Sequence, residues 1–198
     1  MTDPRDTLRR ALERPAEASS DFDLNAGVTL PPNRVLRPAA VLMLVQEGAA
    51  GPEVVLTKRS AKLKHHPGQI SFPGGKQDPG DPDLWSTALR EANEEIGLES
   101  AGIERLGTLP AHETVTSFTV RPHIAWLSKP QPFTPEPGEV AEVFTVPLAH
   151  LLKPGNFLVE GRRWQGVMRR YYAVPFGPYY IWGATARILR GLAERASA

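Results

Sequence analysis

The acidic segment of the chain has the sequence Trp85-Ser86-Thr87-Ala88-Leu89-Arg90-Glu91-Ala92-Asn93-Glu94-Glu95-Ile96-Gly97-Leu98. Its apolar residues recur at helical spacing and share one face: Trp85, Ala88, Leu89, Ala92 and Ile96. Asp81 and Pro82 suit the N-cap and the first helical position, and Gly97 suits the position after the last turn. The pattern predicts an amphipathic helix that ends near Ile96.

Three carboxylates share a second face of this helix. Glu91, Glu94 and Glu95 are spaced i, i+3 and i+4, where like charges cost about 0.2–0.5 kcal/mol per pair. They also lie in the last two turns, where the helix dipole favours cations. A bound divalent cation would reverse both penalties, because Mg²⁺ takes carboxylate oxygens as ligands. From the helix alone, a solvated acidic surface explains the pattern equally well.

The loop before the helix, taken together with the residues from Arg90 onward, favours the metal site over a solvated acidic surface. From Arg90 onward the chain matches the pattern R-E-U-x-E-E-x-G-U, where U is aliphatic. Counted from Gly75, Asp81 takes the acidic position of G-x5-E, with one extra residue before Arg90; counted back from Arg90, that position falls on Pro82. The segment from Gly75 to Leu98 resembles the signature of the Nudix hydrolase family. The resemblance implies an α/β fold, the Nudix α/β/α sandwich with a mixed β-sheet.

The resemblance also implies roles for the charged residues of the helix. Glu91 and Glu95 would be the principal ligands of Mg²⁺ or Mn²⁺, and Glu94 a further ligand or a general base. Arg90 would orient a glutamate through charge-assisted hydrogen bonds. The alternative for Arg90 is a surface ion pair with Glu94, which contributes little by itself.

A second motif lies upstream of the helix. It consists of Leu56-Thr57-Lys58-Arg59-Ser60, then Lys64, Gly68 and Phe72-Pro73-Gly74-Gly75. It resembles the motif of coenzyme A pyrophosphatases, LLTxRS-x3-R-x3-G-x3-FPGG, at the same spacing. Val55 replaces the first Leu and Lys64 replaces an Arg. The second change keeps the charge but loses the planar fork that binds phosphate bidentately.

The upstream motif implies the substrate-binding residues. Arg59, Lys64 and Lys58 would bind phosphates of coenzyme A, which carries a diphosphate and a 3′-phosphate. Gly74 and Gly75 would let the loop backbone come close to metal and phosphate. The alternatives are a solvated basic loop for the cations and a simple tight turn for the glycines.

Further candidates lie downstream. Glu139 or Glu142 could be the general base or an extra metal ligand, with surface charge on a strand edge as an equal alternative. Glu113 is a weaker candidate of the same kind. The basic and aromatic run from 162 to 172 could contact a base or an anion, but a twisted hairpin with an exposed basic edge is the favoured interpretation.

Composition restricts the class of protein. The chain has 198 residues, which fits one domain, 1–198, with an N-terminal extension of about 30 residues that is expected to be partly helical. It has no cysteine, which excludes disulfides and thiolate chemistry. Its net charge of +1 argues against a broad nucleic-acid surface. No apolar run is long enough for a membrane span or a signal peptide, so a cytoplasmic protein with a small-molecule substrate is expected.

The remaining pattern predicts strands and helices that do not strictly alternate. Buried strands are expected at 39–45 and 54–57, joined as a hairpin, with a short strand at 69–72. Further strands are expected at 103–109, 118–127, 140–147 and 169–174. Short amphipathic helices are expected at 4–16 and 183–196.

Together the two resemblances imply hydrolysis of the diphosphate of coenzyme A, giving 3′,5′-ADP and 4′-phosphopantetheine. Two alternatives remain. One is another nucleoside diphosphate derivative, such as ADP-ribose or a dinucleotide. The other is a ligand-binding regulator of the same fold without catalysis, against which the intact Glu91, Glu94 and Glu95 argue.

Overall fold

The computed structural model describes residues 3–25, 27–28, 33–63, 65–164 and 166–198. The helices are α1 (Pro4–Glu13), α2 (Leu84–Ile96), α3 (Leu148–Leu151) and α4 (Ala184–Ser197), with a 3-10 turn at Pro154–Asn156. The strands are β1 (Ser19–Ser20), β2 (Arg37–Gly48), β3 (Gly51–Arg59), β4 (Ile70–Ser71), β5 (Gly74–Lys76), β6 (Ile103–Thr108), β7 (His112–Glu113), β8 (Phe118–Leu127), β9 (Val140–Pro147), β10 (Leu158–Trp164), β11 (Val167–Phe176) and β12 (Tyr179–Trp182).

A mixed sheet forms the centre of the molecule. Strand β2 pairs in parallel with β8, from Arg37 opposite Phe118 to Gln46 opposite Leu127. On its other edge β2 pairs antiparallel with β5 and with β3, and β3 pairs antiparallel with β4 and β9. Strands β6 and β7 pair antiparallel with β8. Strands β10, β11 and β12 form a separate antiparallel sheet.

Helices cover both faces of the central sheet. On β2, Leu42 and Leu44 belong to a cluster under α2, whereas Met43 and Val45 belong to a larger cluster with α1, α3 and α4. A strand buried on both faces has a continuous apolar run instead of alternation, which is the pattern seen at 39–45. The α/β/α sandwich with a mixed sheet is therefore confirmed.

Helix α1 belongs to the core, although it lies outside the region of family resemblance. Leu8 and Ala11 are 0% and 1% exposed and pack in the larger cluster. Among the helices of the described residues, none is both long and apolar enough to cross a bilayer.

Most predicted elements are confirmed within a few residues, including the hairpin of β2 and β3. Four short strands, β1, β5, β7 and β12, were not predicted, because two to four residues carry no recognisable periodicity. The basic run predicted as a hairpin is β10 paired with β11.

The predicted cap of the acidic helix is wrong. The N-cap is Asp83, whose carboxylate accepts from the Ser86 N–H at 2.7 Å, so Pro82 lies outside the helix. Asp81 is not available as a cap because its carboxylate binds Arg90. At the other end, Gly97 closes the helix as predicted, in the left-handed conformation with φ of 67°.

Asp83→Ala should lower the free energy of unfolding by about 1 kcal/mol, because the Ser86 N–H loses its acceptor. Asp83→Ser should stay close to wild type, since serine also caps. Chemical denaturation of the three proteins measures the difference. Equal stability of Asp83→Ala and wild type would contradict the assignment of the cap.

Candidate active site

A glycine loop brings the backbone against the acidic helix. The Pro73 carbonyl accepts from the Leu42 N–H at 2.8 Å, and Gly75 lies opposite Ala40 as β5 joins β2. Gly74 has φ of +146°, and a Cβ there would lie 2.3 Å from the Ala40 carbonyl oxygen. No other residue fits without moving the sheet. The Gly74 N–H then donates to Glu95 Oε2 at 3.1 Å.

Gly75 provides the space that Glu91 occupies. A Cβ on Gly75 would lie 2.5 Å from the carboxylate carbon of Glu91. Thus a side chain at Gly74 would collide with strand β2, and a side chain at Gly75 would collide with helix α2. The tight-turn alternative does not account for these contacts.

Arg90 connects the loop to the helix carboxylates. Its Nε and Nη2 each donate to Asp81 at 2.9 Å, and its Nη1 donates to Glu94 Oε2 at 2.9 Å. Nη2 also reaches Glu91 Oε1 at 3.1 Å. Arg90 therefore contacts Asp81, Glu91 and Glu94 instead of forming a single ion pair with Glu94. These contacts support the orienting role expected for it.

Asp81 holds Arg90 despite the extra residue in the signature. Its carboxylate is 7% exposed and also accepts from the Asp78 N–H and the Thr87 hydroxyl. The Arg90 guanidinium and the Asp78 N–H keep the pKa of Asp81 well below its usual range. The sequence offers two roles for Asp81, the N-cap and the acidic position counted from Gly75, and the contact with Arg90 agrees with the second.

The helix carboxylates differ in burial. Glu95 is 4% exposed, the side chain of Glu91 is 17% exposed, and that of Glu94 is 58% exposed. Burial raises the pKa of Glu95 to about 7, against the effect of the Gly74 N–H, and the charge of Glu91 adds to the rise. Burial also raises the pKa of Glu91. The ionised forms of both residues are therefore poorly solvated.

These residues suit a hard divalent cation. Within the described residues, no three carboxylate or imidazole groups converge on one point at metal-binding distance, since Glu94 is held by Arg90 and Glu95 by the Gly74 N–H. Glu91 and Glu95 nevertheless supply carboxylate oxygens on one helical face, next to a loop without side chains. Carboxylate oxygen is the donor that Mg²⁺ prefers, so the donor set fits.

Of the two later glutamates, the structure brings Glu139 to the helix carboxylates. Its charge raises the pKa of both Glu91 and Glu95. The side chain is exposed, and its carbonyl accepts from the Ser60 N–H at 2.8 Å at the end of β3. Glu139 is thus within Coulombic range of these carboxylates, and its role as a base or an extra ligand stays a prediction.

Glu142 does not join that group. Its carboxylate accepts from the Tyr179 hydroxyl, and the Tyr179 ring stacks on Phe144 with centroids 3.7 Å apart. Phe144 packs in the cluster on the α4 side, whereas Val143 packs under α2. Because side chains alternate along a strand, Glu142 lies on the face opposite helix α2.

The cations of the upstream motif, Arg59 and Lys58, lie in different surroundings. Arg59 is partly buried, and its positive charge lowers the pKa of Glu95. Lys58 is exposed and lies opposite Glu142 in the register of β3 and β9. Lys64 lies outside the described residues. Glu113 is paired with Arg34 at 2.7 Å, which supports the interpretation of Glu113 as structural.

Comparison with known proteins matches this geometry to a family. The family model described as the NUDIX domain matches residues 35–164. The uncharacterized Nudix hydrolases NudL of Cronobacter sakazakii and of Citrobacter koseri are each 38% identical over 157 residues, which cover 79% of this chain and 81% of theirs. A glycine loop, an acidic helix and this match together make the chain a member of the Nudix hydrolase family.

The fold is also that of a solved relative. The MutT protein from Methanosarcina mazei Go1 superposes with a TM-score of 0.53 at 19% identity, over 84% of this chain and 96% of that one. At this identity the likeness concerns the fold alone. The family gives the coarse activity, hydrolysis of a nucleoside diphosphate derivative.

Gly75→Ala should abolish hydrolysis and weaken Mn²⁺ binding while the protein still folds, because the added methyl displaces only the flexible carboxylate of Glu91. Gly80→Ala is the matched control, since a Cβ there meets nothing within 4 Å. Turnover, Mn²⁺ titration and thermal melting measure these effects. Wild-type Mn²⁺ affinity in Gly75→Ala would contradict the role given to Gly75.

Stability without metal should fall as pH rises, because the pKa of Glu95 is raised from 4.5 to about 7 in the folded chain. Between these values the folded chain retains a proton that the unfolded chain has lost, so the free energy of unfolding decreases, by about 3–4 kcal/mol in total.

Glu95→Gln should remove this pH dependence. The free energy of unfolding of the variant should be close to that of wild type near pH 5 and higher near pH 8, where roughly all of the destabilisation by ionised Glu95 is present in wild type. Denaturation in EDTA at both pH values tests this. A variant that loses stability with pH as steeply as wild type would exclude Glu95 as the source.

Proposed function

We propose that the protein hydrolyses the diphosphate of coenzyme A to 3′,5′-ADP and 4′-phosphopantetheine. The observation that carries the proposal is that Arg59, a cation of the upstream motif, lies within Coulombic range of the buried carboxylate Glu95, whose pKa its charge lowers. The Arg59 Nε is buried and has no acceptor among the described residues. A guanidinium within range of Glu95 can bind one phosphate group while a cation on the carboxylates binds another, as a substrate with more than one phosphate group requires.

The residues of the site have distinct tasks in this proposal. Glu91 and Glu95 would hold Mg²⁺ or Mn²⁺, and Arg90, fixed by Asp81, would keep Glu91 and Glu94 in position. A cation held there would neutralise charge on the diphosphate and lower the pKa of the attacking water. Gly74 and Gly75 let the loop backbone pack directly against strand β2 and helix α2, which positions the carboxylates of Glu91 and Glu95 where they would hold the cation.

The reaction needs a group that takes a proton from water. A water oxygen forms a bond to one phosphorus, the bridging P–O bond breaks, and the leaving phosphate takes the electron pair. Glu139 and Glu94 are the candidates for the proton acceptor, because both are exposed carboxylates near Glu91. No covalent intermediate with the protein is required.

A panel of substrates tests the class of substrate directly. Coenzyme A, 3′-dephospho-coenzyme A, ADP-ribose and a dinucleoside polyphosphate are each assayed with Mg²⁺ and with EDTA. Highest kcat/KM on coenzyme A supports the proposal. A preference for ADP-ribose or the dinucleotide would replace the substrate but keep the family activity, and no turnover on any of them would favour a binding role.

Arg59→Ala should reduce kcat/KM on coenzyme A by about tenfold to a hundredfold, because a charge-assisted hydrogen bond contributes about 1.5–3 kcal/mol. Lys153→Ala, at an exposed position between α3 and the 3-10 turn, also removes one positive charge and should have no effect.

The substrate 3′-dephospho-coenzyme A identifies which phosphate Arg59 binds. A much smaller loss on this substrate would assign Arg59 to the 3′-phosphate, and an equal loss would assign it to the diphosphate. Unchanged kcat/KM on both substrates would overturn the binding role of Arg59.

A further inference from the structure

A cavity of about 450 Å³ lies at the edge of the central sheet, away from helix α2. It opens between the end of α1, the segment that follows it, and the connection from β6 to β7. Its lining is Leu12, Arg14, Ala16, Ala18, Thr108, Leu109, Pro110, Ala111, Arg121 and Arg195. Three of these residues are arginines and none is acidic, so the cavity is strongly basic although the chain is nearly neutral overall.

Two of the arginines are fixed by the ends of helices. Arg195 Nη2 donates to the carbonyls of Leu12 and Arg14 at 2.7 and 2.6 Å, where α1 ends. Arg14 Nη1 donates in return to the carbonyl of Arg195, in the last turn of α4. This reciprocal capping joins the terminal helices and fixes both side chains beside the cavity.

Capping does not use the whole charge of Arg195. The residue is 9% exposed, and its Nε and Nη1 are buried without an acceptor among the described residues. Burial lowers the pKa of Arg195. A buried cation without a counter-charge is unfavourable. An anion in the neighbouring cavity would offset part of this cost through its charge, reduced by solvent screening because the cavity is open to water.

Arg121 gives the cavity a guanidinium that is free to bind. Its side chain is partly buried, and its described hydrogen bond is a single one, from Nη1 to the Leu109 carbonyl at 3.3 Å. The other donors of its planar fork match the oxygens of a phosphate.

We propose that this cavity binds a small phosphate ester. Its volume lies within the range of about 300–1,000 Å³ found for small-molecule sites, and its basic lining selects a dianionic group. None of its lining residues belongs to the candidate active site, so the cavity is a second site that does not depend on coenzyme A being the substrate.

The test is an NMR titration of the intact protein in EDTA and phosphate-free buffer, with inorganic phosphate in one arm and adenosine 5′-monophosphate in the other. Saturable shifts of the Thr108, Ala111 and Arg121 amides are expected in both arms. Tighter binding of the ester would show that the organic part also occupies the cavity.

Arg121→Gln should weaken binding by about tenfold or more, and it removes little that holds the fold. Arg10→Gln, an exposed position on α1, is the charge-matched control and should bind as wild type. Arg59→Gln separates this cavity from the active site and should also leave these shifts unchanged.

Three results would overturn the proposal. One is equal affinity of wild type and Arg121→Gln. Another is a set of shifts confined to β3 and helix α2. The third is the absence of any saturable shift in either arm. Thermal melts of each variant verify that it is folded.

Discussion

The contact between the Gly74–Gly75 backbone and helix α2 is the constraint around which the site is built. Strand β5 pairs with β2 and holds this backbone in place. The carboxylate of Glu91 fills the space that a side chain at Gly75 would take, and Glu95 accepts a hydrogen bond from the Gly74 N–H. The same contact requires that Glu95 be buried, and burial raises its pKa. A loop with side chains would push the helix carboxylates toward water, where their self-repulsion is screened and their affinity for a cation is lower.

Arg90 and Asp81 solve the electrostatic problem that this arrangement creates. Three glutamates on one helical face repel one another, and one guanidinium contacts two of them while Asp81 fixes its plane. The carboxylates of Glu91 and Glu94 are thereby held by the same guanidinium. Glu95 lies outside these Arg90 contacts and is a buried carboxylate whose charge a cation or a proton would neutralise.

The two faces of the sheet have different roles. The face under α2 carries the carboxylates, with Arg59 and Glu139 nearby. The opposite face is a large apolar core closed by α1, α3 and α4, and Glu142 is used there in a hydrogen bond to Tyr179. The reciprocal contacts of Arg14 and Arg195 join the N-terminal and C-terminal helices on that side, next to the basic cavity.

The sequence by itself determined the helix from Trp85 to Ile96 and the strand on which both core clusters meet, and it predicts the residues of the acidic site, because each depends on local periodicity or on a fixed spacing. Tertiary structure decided which acid reaches Arg90, which of Glu139 and Glu142 faces the helix, and that Lys58 and Arg59 separate. These outcomes depend on strand register, on a bulge between Lys58 and Arg59, and on contacts between residues distant in the chain. One residue of register reverses the face on which a side chain lies, and no local pattern encodes that choice.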